Sequence, residues 1–292
     1  MRNILVTGGK GQLASCIKDI TVGLEGYHFK YVDLDELDIT EPAEVNKIFE
    51  AESISFCVNC AAYTAVDKAE TELELAASVN EVGAQNLAEA CNRNSAGLIH
   101  VSTDFVFDGG QAKLYTEEDV PHPLGVYGIT KLQGEKAITN ILKEHFIIRT
   151  SWLYSEHGNN FLKTMLRLAS EREALNVVCD QVGTPTYAKV LAEVILKLIR
   201  SESEAYGTYH FSNEGVASWY DFAKAIMEES KIACKVLPIK TEAYPTPAMR
   251  PAFSVMDKSK IKTELEIEIP YWRDSLKKVV DILTIGTNNF NI

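Results

Sequence analysis

The sequence predicts an α/β protein: a doubly wound parallel sheet with a smaller C-terminal part interleaved with it. Three observations point there. Five short strand-like runs occur over about 150 residues, the first of them a continuous apolar run of the kind a strand buried on both faces requires. Helical stretches alternate with them, as the crossover connections of a parallel sheet do. The first run empties into a glycine turn that opens a helix, where free backbone N–H groups and the positive end of the helix dipole face an anion.

That first run is Ile4-Leu5-Val6. It leads into Thr7-Gly8-Gly9-Lys10-Gly11-Gln12-Leu13-Ala14 and a helix over Ser15 to Val22. Gly8, Gly11 and Ala14 fit Gly-x-x-Gly-x-x-Ala, and the strand-turn-helix context is the one this fingerprint needs. A dinucleotide is therefore expected against Gly8, Gly11, Gln12 and Leu13. The second strand, His28 to Val32, ends at Asp33, which lies 22 residues past Gly11. A carboxylate there accepts hydrogen bonds from the adenosine ribose. Asp35, Glu36 and Asp38 crowd the same loop, with only Lys10 and Lys30 as nearby cations. Such a loop repels a 2′-phosphate, so NADH is favoured over NADPH. Thr40 is expected to cap the next helix, which holds Pro42 in its first turn and runs through Phe49.

Ser55 to Asn59 is the third strand. The small residues Cys60, Ala61 and Ala62 after it suit a loop lying against the cofactor, or simply a tight strand–helix turn. A polar connection, Ala65 to Glu70, leads to a helix over Leu73 to Arg93. The fourth strand, Leu98 to Val101, runs into Ser102-Thr103-Asp104-Phe105-Val106-Phe107. Hydroxyls at the carboxyl end of a parallel strand sit where open α/β sheets bind ligands, although they also cap strand ends.

Between the fourth strand and the fifth (Phe146 to Arg149) comes Val126-Tyr127-Gly128-Ile129-Thr130-Lys131, opening a helical pattern. Residues four apart on a helix are neighbours, so a phenol stands beside an ammonium. The ammonium is expected to lower the tyrosine pKa from about 10. A tyrosine tuned this way gives a proton to a carbonyl oxygen while a hydride arrives at its carbon. Alone, the pair also fits an exposed amphipathic helix; the glycine turn shifts the reading towards chemistry.

Beyond Arg149 the pattern loosens. Helices are expected from Phe161 through Arg172, over Tyr187 to Arg200, over Trp219 to Ser230 with Ser218 as cap, and over Trp272 to Leu283. Tyr209-His210-Phe211 reads as a further strand. Tyr244 to Pro251 is too proline-rich for a helix, and the polar tail Thr284 to Ile292 is expected to fray. The predicted division is residues 1–149 plus about 184–212 for the dinucleotide and about 150–183 plus 213–292 for a substrate lid.

The chain has 292 residues, 46% hydrophobic and 24% charged, enough for one large or two smaller domains. A net charge of −12 argues against nucleic acid or an anionic membrane as main partner. The first residues form a strand pattern rather than a signal-peptide layout, and no apolar run is of spanning length, so a cytoplasmic protein is expected. Cys57 and Cys60 have the spacing of a redox pair, but they sit in an apolar strand and its exit, which favours reduced, buried thiols. No second pair completes a zinc site.

The glycine turn, the Ser-Thr-Asp strand end and the Tyr-x-x-x-Lys together resemble the extended short-chain dehydrogenase/reductase family, whose fold is Rossmann-like. That resemblance implies that Thr103 holds the substrate oxygen, Tyr127 transfers the proton and Lys131 binds the nicotinamide ribose, with Asp104 beside them. Longer runs, among them Ala61 to Glu70, Arg149-Thr150-Ser151-Trp152, Gly158-Asn159-Asn160-Phe161 and Tyr244 to Pro251, are similar to those of one family within it, the dTDP-4-dehydrorhamnose reductases. It implies reduction of a dTDP-4-keto-6-deoxy sugar to dTDP-L-rhamnose, a precursor of bacterial surface polysaccharide, by NADH or NADPH. It also implies cofactor contacts from Asp38, Ile39, Cys60, Ala61 and Ala62, and substrate contacts from Val66, Asp67, Thr103, Asp104, Phe105, Trp152, Asn159, Asn160 and Arg250.

Four of these keep a second reading. Arg250 either binds the diphosphate or is a surface arginine; Trp152 packs on the sugar or fills the domain junction; the two asparagines bind nucleotide or cap the following helix. Some members of the family build a magnesium-bridged dimer on an acid in the first helix. Cys16 stands there instead, so magnesium and that dimer are doubtful, and a monomer or homodimer is expected. The alternative enzyme is another NAD-dependent nucleotide-sugar epimerase, reductase or dehydratase, although a dehydratase would need Glu where Phe105 stands. A non-catalytic cofactor-binding subunit would not need Thr103, Tyr127 and Lys131.

Overall fold

The computed structural model of the protein describes residues 1–201 and 203–288, with side chains to Thr284. The strands are β1 (Arg2–Thr7), β2 (Tyr27–Val32), β3 (Ile54–Asn59), β4 (Gly97–Thr103), β5 (His145–Thr150), β6 (Leu153–Tyr154), β7 (Ala174–Val178), β8 (Val182–Gly183), β9 (Thr186–Tyr187), β10 (Gly207–His210), β11 (Ala217–Ser218) and β12 (Lys235–Ile239). The α-helices are α1 (Gln12–Thr21), α2 (Pro42–Glu52), α3 (Val66–Ala69), α4 (Leu73–Ala77), α5 (Gly83–Asn94), α6 (Val126–Ile141), α7 (Phe161–Glu171), α8 (Ala188–Ser201), α9 (Trp219–Ser230), α10 (Ser259–Leu265) and α11 (Trp272–Asn288).

Six strands form one parallel sheet in the order β10-β5-β4-β3-β1-β2. The doubly wound α/β architecture is therefore as expected, and the expected sixth strand is β10. Burial explains the apolar runs. Ile4, Val6, Val58, Ile99 and Ile148 pack on one face against α1 and α8, while Leu5, Cys57, Leu98 and Ile147 pack on the other against α2 and α5. The chain order reverses between β1 and β3, so a crevice opens at their carboxyl ends, where such sheets bind ligands.

A second core joins α7, α9 and α11 to the small parallel pair β7–β12, around Leu162, Phe222, Ile226, Leu276 and Val279. The sequence reading missed β7 and β12. The Ser218 cap is as expected: its hydroxyl accepts from the Asp221 N–H while the Asp221 carboxylate accepts from the Ser218 N–H. The Thr40 cap is not. Glu41 stands at the N-cap position of α2 without a side-chain capping bond, and the Thr40 hydroxyl and N–H both donate to Asp38. The expected helix over Leu73 to Arg93 is interrupted by a π-turn over Ser78–Val82. The last helix reaches Asn288 instead of fraying from Thr284; residues 289–292 lie outside the described residues. All six cysteines are free thiols. No helix among the described residues is long and apolar enough to cross a membrane.

Candidate active site

The crevice begins at Gly8. Its φ is +64°, and a Cβ there would lie 2.8 Å from the Ala61 backbone nitrogen. Only glycine allows this turn and this approach of the β1 exit to the β3 exit. α1 starts at Gln12 without a side-chain cap, so its first N–H groups face the crevice unpaired by side chains. This cradle fits the diphosphate of a dinucleotide. Leu13 is buried beneath it, and the Gln12 amide is tied to the Leu153 carbonyl and the Ser155 hydroxyl. Cys60, Ala61 and Ala62 line the β3 side, half-buried. Asp33 accepts from the Lys10 and Leu34 N–H groups at 2.8 and 2.9 Å, and the Lys10 ammonium pairs with Asp35 at 2.6 Å. Asp38 is engaged with Thr40, and Ile39 is buried, its carbonyl accepting from Asn86.

The sequence candidates for chemistry come together at the β4 exit. Thr103 ends the strand; its hydroxyl accepts from the Phe105 N–H at 3.1 Å and donates to Asp104 at 3.2 Å. Tyr127 lies in the first turn of α6, edge-on to Phe105 with ring centroids 5.6 Å apart. Its helix starts at Gly125, and the Glu70 carboxylate of the α3 exit accepts from the Val126 N–H at 2.9 Å in place of a local cap. Gly128 allows the close approach: a Cβ there would lie 2.2 Å from the Phe105 carbonyl oxygen.

The electrostatics differ from the sequence expectation. Burial pushes the Tyr127 phenol up to about 12; the Thr103 hydroxyl opposes this and Asp104 adds to it. Lys131 does not lower it, because its Nζ points elsewhere: it donates to the Val101 carbonyl at 2.7 Å and meets His100 Nε2 at 3.1 Å. Burial lowers Lys131 itself to about 8, against the pull of Glu135 and Cys60. Asp104 is raised to about 6, again mainly by burial, although the Ser254 and Thr103 hydroxyls face it. Its Oδ2 is buried without a hydrogen-bond partner.

The lid candidates divide. Arg250 reaches Asp67 through two bonds, 3.0 and 2.8 Å, and also donates to Thr246 and the Ala248 carbonyl. The pair stands beside Val66, over the loop leading to Tyr127. Trp152, at φ +46°, stacks on Trp219 with centroids 3.6 Å apart and presses on Gly183. One face of its indole thus fills the junction. Asn160 caps α7, accepting from Lys163 and donating to the Ser155 carbonyl, so its amide is committed to local structure. Asn159 beside it is exposed.

Cys16 is fully buried, and burial pushes its thiol up to about 12. A protonated, soft sulfur does not fit magnesium. Among the described residues, the one group of side chains spaced for a metal is Asp19, Glu156 and His157, whose ligand atoms lie within 4.8 Å of one another. The sequence reading assigned no role to three buried polar residues, His100, Asn59 and Asn80. Their signal is a polar side chain inside an apolar run. Asn80 is buried in the π-turn, where it bonds both backbone groups of Tyr63 and the Thr130 hydroxyl of α6.

Comparison with known proteins now decides the family. The family described as "RmlD substrate binding domain" matches residues 1–285. The chain belongs to this family. A dTDP-4-dehydrorhamnose reductase of Aggregatibacter actinomycetemcomitans is 44% identical over 290 residues, 96% of this chain and 98% of that protein. The spore coat polysaccharide biosynthesis protein SpsK of Bacillus subtilis (strain 168) is 40% identical over 286 residues, covering 95% and 96%. The crystal structure of dTDP-4-dehydrorhamnose reductase from Bacillus anthracis str. Ames in complex with NADP superposes with a TM-score of 0.93 at 38% identity, over 97% of this chain and all of that one.

Proposed function

We propose that the chain is an NAD(P)H-dependent reductase that converts dTDP-4-dehydro-6-deoxy-L-mannose to dTDP-L-rhamnose for polysaccharide synthesis. The observation that carries the proposal is the meeting of Thr103 and Tyr127 at the β4 exit, beside the Gly8 cradle. The bound nicotinamide supplies the hydride that makes the 4-keto carbon a carbinol. The Tyr127 hydroxyl gives its proton to the same carbonyl oxygen, which the Thr103 hydroxyl holds by a hydrogen bond. A phenol raised to about 12 stays protonated at neutral pH, as a donor must. Lys131 reaches the ribose and the Tyr127 phenolate only by turning from the Val101 carbonyl. Asp104, Phe105 and Val66 border the sugar, and Trp152 and Asn159 close the lid side.

In this reading residues 1–149 with 184–212 hold the cofactor, and 150–183 with 213–292 hold the dTDP-sugar. Arg250 meets the diphosphate while Asp67 orients it. The acidic loop from Asp33 to Asp38 favours NADH over NADPH. The reaction needs no magnesium, since proton and hydride transfer require no Lewis acid, and the chain works as a monomer or homodimer in the cytoplasm. The test is oxidation of NADH or NADPH by the purified protein with dTDP-4-dehydro-6-deoxy-L-mannose, with product identified by chromatography. Formation of dTDP-L-rhamnose is expected; cofactor binding without turnover would leave a regulatory subunit instead.

A further inference from the structure

A buried chain of hydrogen bonds crosses the sheet behind the proposed site, from β1 to Lys131. The Thr7 hydroxyl donates to Asn59 Oδ1 at 2.7 Å, and the Ala61 backbone N–H donates to the same oxygen at 3.2 Å. Asn59 Nδ2 lies 2.9 Å from His100 Nδ1, and His100 Nε2 lies 3.1 Å from Lys131 Nζ. Thr7, Asn59, His100 and Lys131 are each about 1% exposed. Water therefore does not mediate between them, and each donor needs a true acceptor.

The directions follow from one fixed point. A backbone N–H can only donate, and the Ala61 N–H lies nearer the Asn59 side chain, at 3.2 Å, than its other acceptor, the Thr7 hydroxyl at 3.4 Å, so the Asn59 atom facing Ala61 is its oxygen. The atom facing His100 is then the amide nitrogen, which also only donates. His100 Nδ1 must accept, and the single proton of the neutral ring sits on Nε2. That N–H points at Lys131. An ammonium has no lone pair to receive it; a neutral amine does, while still donating to the Val101 carbonyl.

We propose that His100, locked by Asn59 as the Nε2–H tautomer, is a positioning residue that donates to Lys131 and keeps it a neutral amine in the cofactor-free protein. This rests on the reductase reading only for its consequence: Lys131 takes up a proton as it turns from His100 towards the cofactor and Tyr127. The other groups facing Lys131 are Glu135 on its own helix and Cys60 on the β3 exit; both favour the ammonium. Burial, first of all, holds the His100 ring neutral, and the nearby His145 adds to this. Burial alone, which lowers Lys131 to about 8, leaves most of it an ammonium at pH 7, so the neutral amine needs the further shift that the His100 donor supplies.

Nitrogen NMR of the histidine-labelled, cofactor-free protein reads the tautomer without any substrate. His100 is expected to show a bare Nδ1 and a protonated Nε2; the reverse pattern, or a doubly protonated ring, overturns the proposal. Carbon NMR of the lysine-labelled protein, with Lys131 assigned by its loss in Lys131→Met, reads the amine directly. The resonance should titrate below pH 7, under the value of about 8 that burial sets; a Lys131 still an ammonium at pH 7 overturns the proposal. In His100→Gln an amide oxygen can face the amine, and the titration should rise by about one pH unit or more. An unchanged titration in a folded His100→Gln protein overturns the proposal. If His100→Gln does not fold, the tautomer spectrum of the unmodified chain still decides. These arms hold even if no dTDP-sugar is turned over. The turnover arm is separate: the high-pH limb of kcat/KM should move up with the titration, whereas a merely structural role would lower activity at all pH values alike.

Discussion

Arg250 grips the Asp67 carboxylate with both of its terminal nitrogens, at 3.0 and 2.8 Å. Arg250 belongs to the proline-rich Tyr244 to Pro251 loop and Asp67 to α3, so the pair ties that loop to a helix 183 residues away in the chain. The Arg250 guanidinium holds the Asp67 carboxyl below the usual carboxylate range, and burial partly opposes this.

Arg250→Ala should raise KM for the dTDP-sugar by about tenfold to a hundredfold, the worth of one or two charge-assisted bonds, with a smaller change in kcat. Asp67→Asn keeps the shape and frees the guanidinium, so it should lower KM or leave it within about threefold while loosening the lid. Steady-state kinetics on both variants checks this; equal loss of kcat in both would assign the pair a purely structural role.

Cofactor preference follows from the Asp33–Asp38 loop. Asp33 already accepts two backbone N–H bonds, and Lys10, which could meet a 2′-phosphate, is spent on Asp35. A higher kcat/KM with NADH is expected. A tenfold preference for NADPH, about 1.4 kcal/mol the other way, would contradict it. Lys10 is exposed and can swing from Asp35, so Asp35→Ala should improve use of NADPH.

Metal removal should not matter to turnover. EDTA-treated protein is expected to keep its rate, because the buried Cys16 thiol cannot hold magnesium. Loss of activity restored by magnesium would refute this.

The sheet was legible in the sequence because its central strands β1, β3, β4 and β5 are largely buried on both faces and so largely apolar, whereas the edge strand β2 is half-exposed. The glycine turn was legible because Gly8 has no alternative at its φ and its distance from Ala61. The Ser218 cap was legible because its partner Asp221 is three residues away. What was missed depends on partners distant in sequence. β7 and β12 are short, alternate between buried and exposed, and find each other across some sixty residues. The π-turn is held by Asn80 bonding to Tyr63, which nothing local announces. Thr40 lost its cap role because Asp38, two residues before it, captures its hydroxyl. Spacing put Tyr127 and Lys131 on one helix face, but it could not show that His100 and the Val101 carbonyl hold the Lys131 nitrogen.

Acid stability should depend on His210. It is fully buried, and burial first, then Arg149, lowers it to about 3, against the Tyr115 carbonyl and Asp257; Lys260 also faces it. The unfolded chain binds this proton near pH 6.5. The contribution is therefore complete above about 6.5 and is lost as pH falls towards about 3. Urea unfolding at several pH values should show His210→Gln less stable at neutral pH. Its decline from about pH 6 to 4 should be shallower by up to about 1.4 kcal/mol per pH unit. Parallel curves would assign the acid sensitivity to carboxylates alone.

The most direct test of the account is a single turnover of Tyr127→Phe beside the unmodified chain, each preloaded with reduced cofactor and mixed with the dTDP-4-keto sugar. The variant keeps the ring, the Phe105 contact and the glycine cradle, and loses only the hydroxyl. Cofactor affinity should be unchanged and the rate of nicotinamide oxidation should fall by about 10²–10⁴, the usual worth of a positioned acid. A near-normal rate in the variant would contradict the assignment of Tyr127 as proton donor, and with it the account of this site.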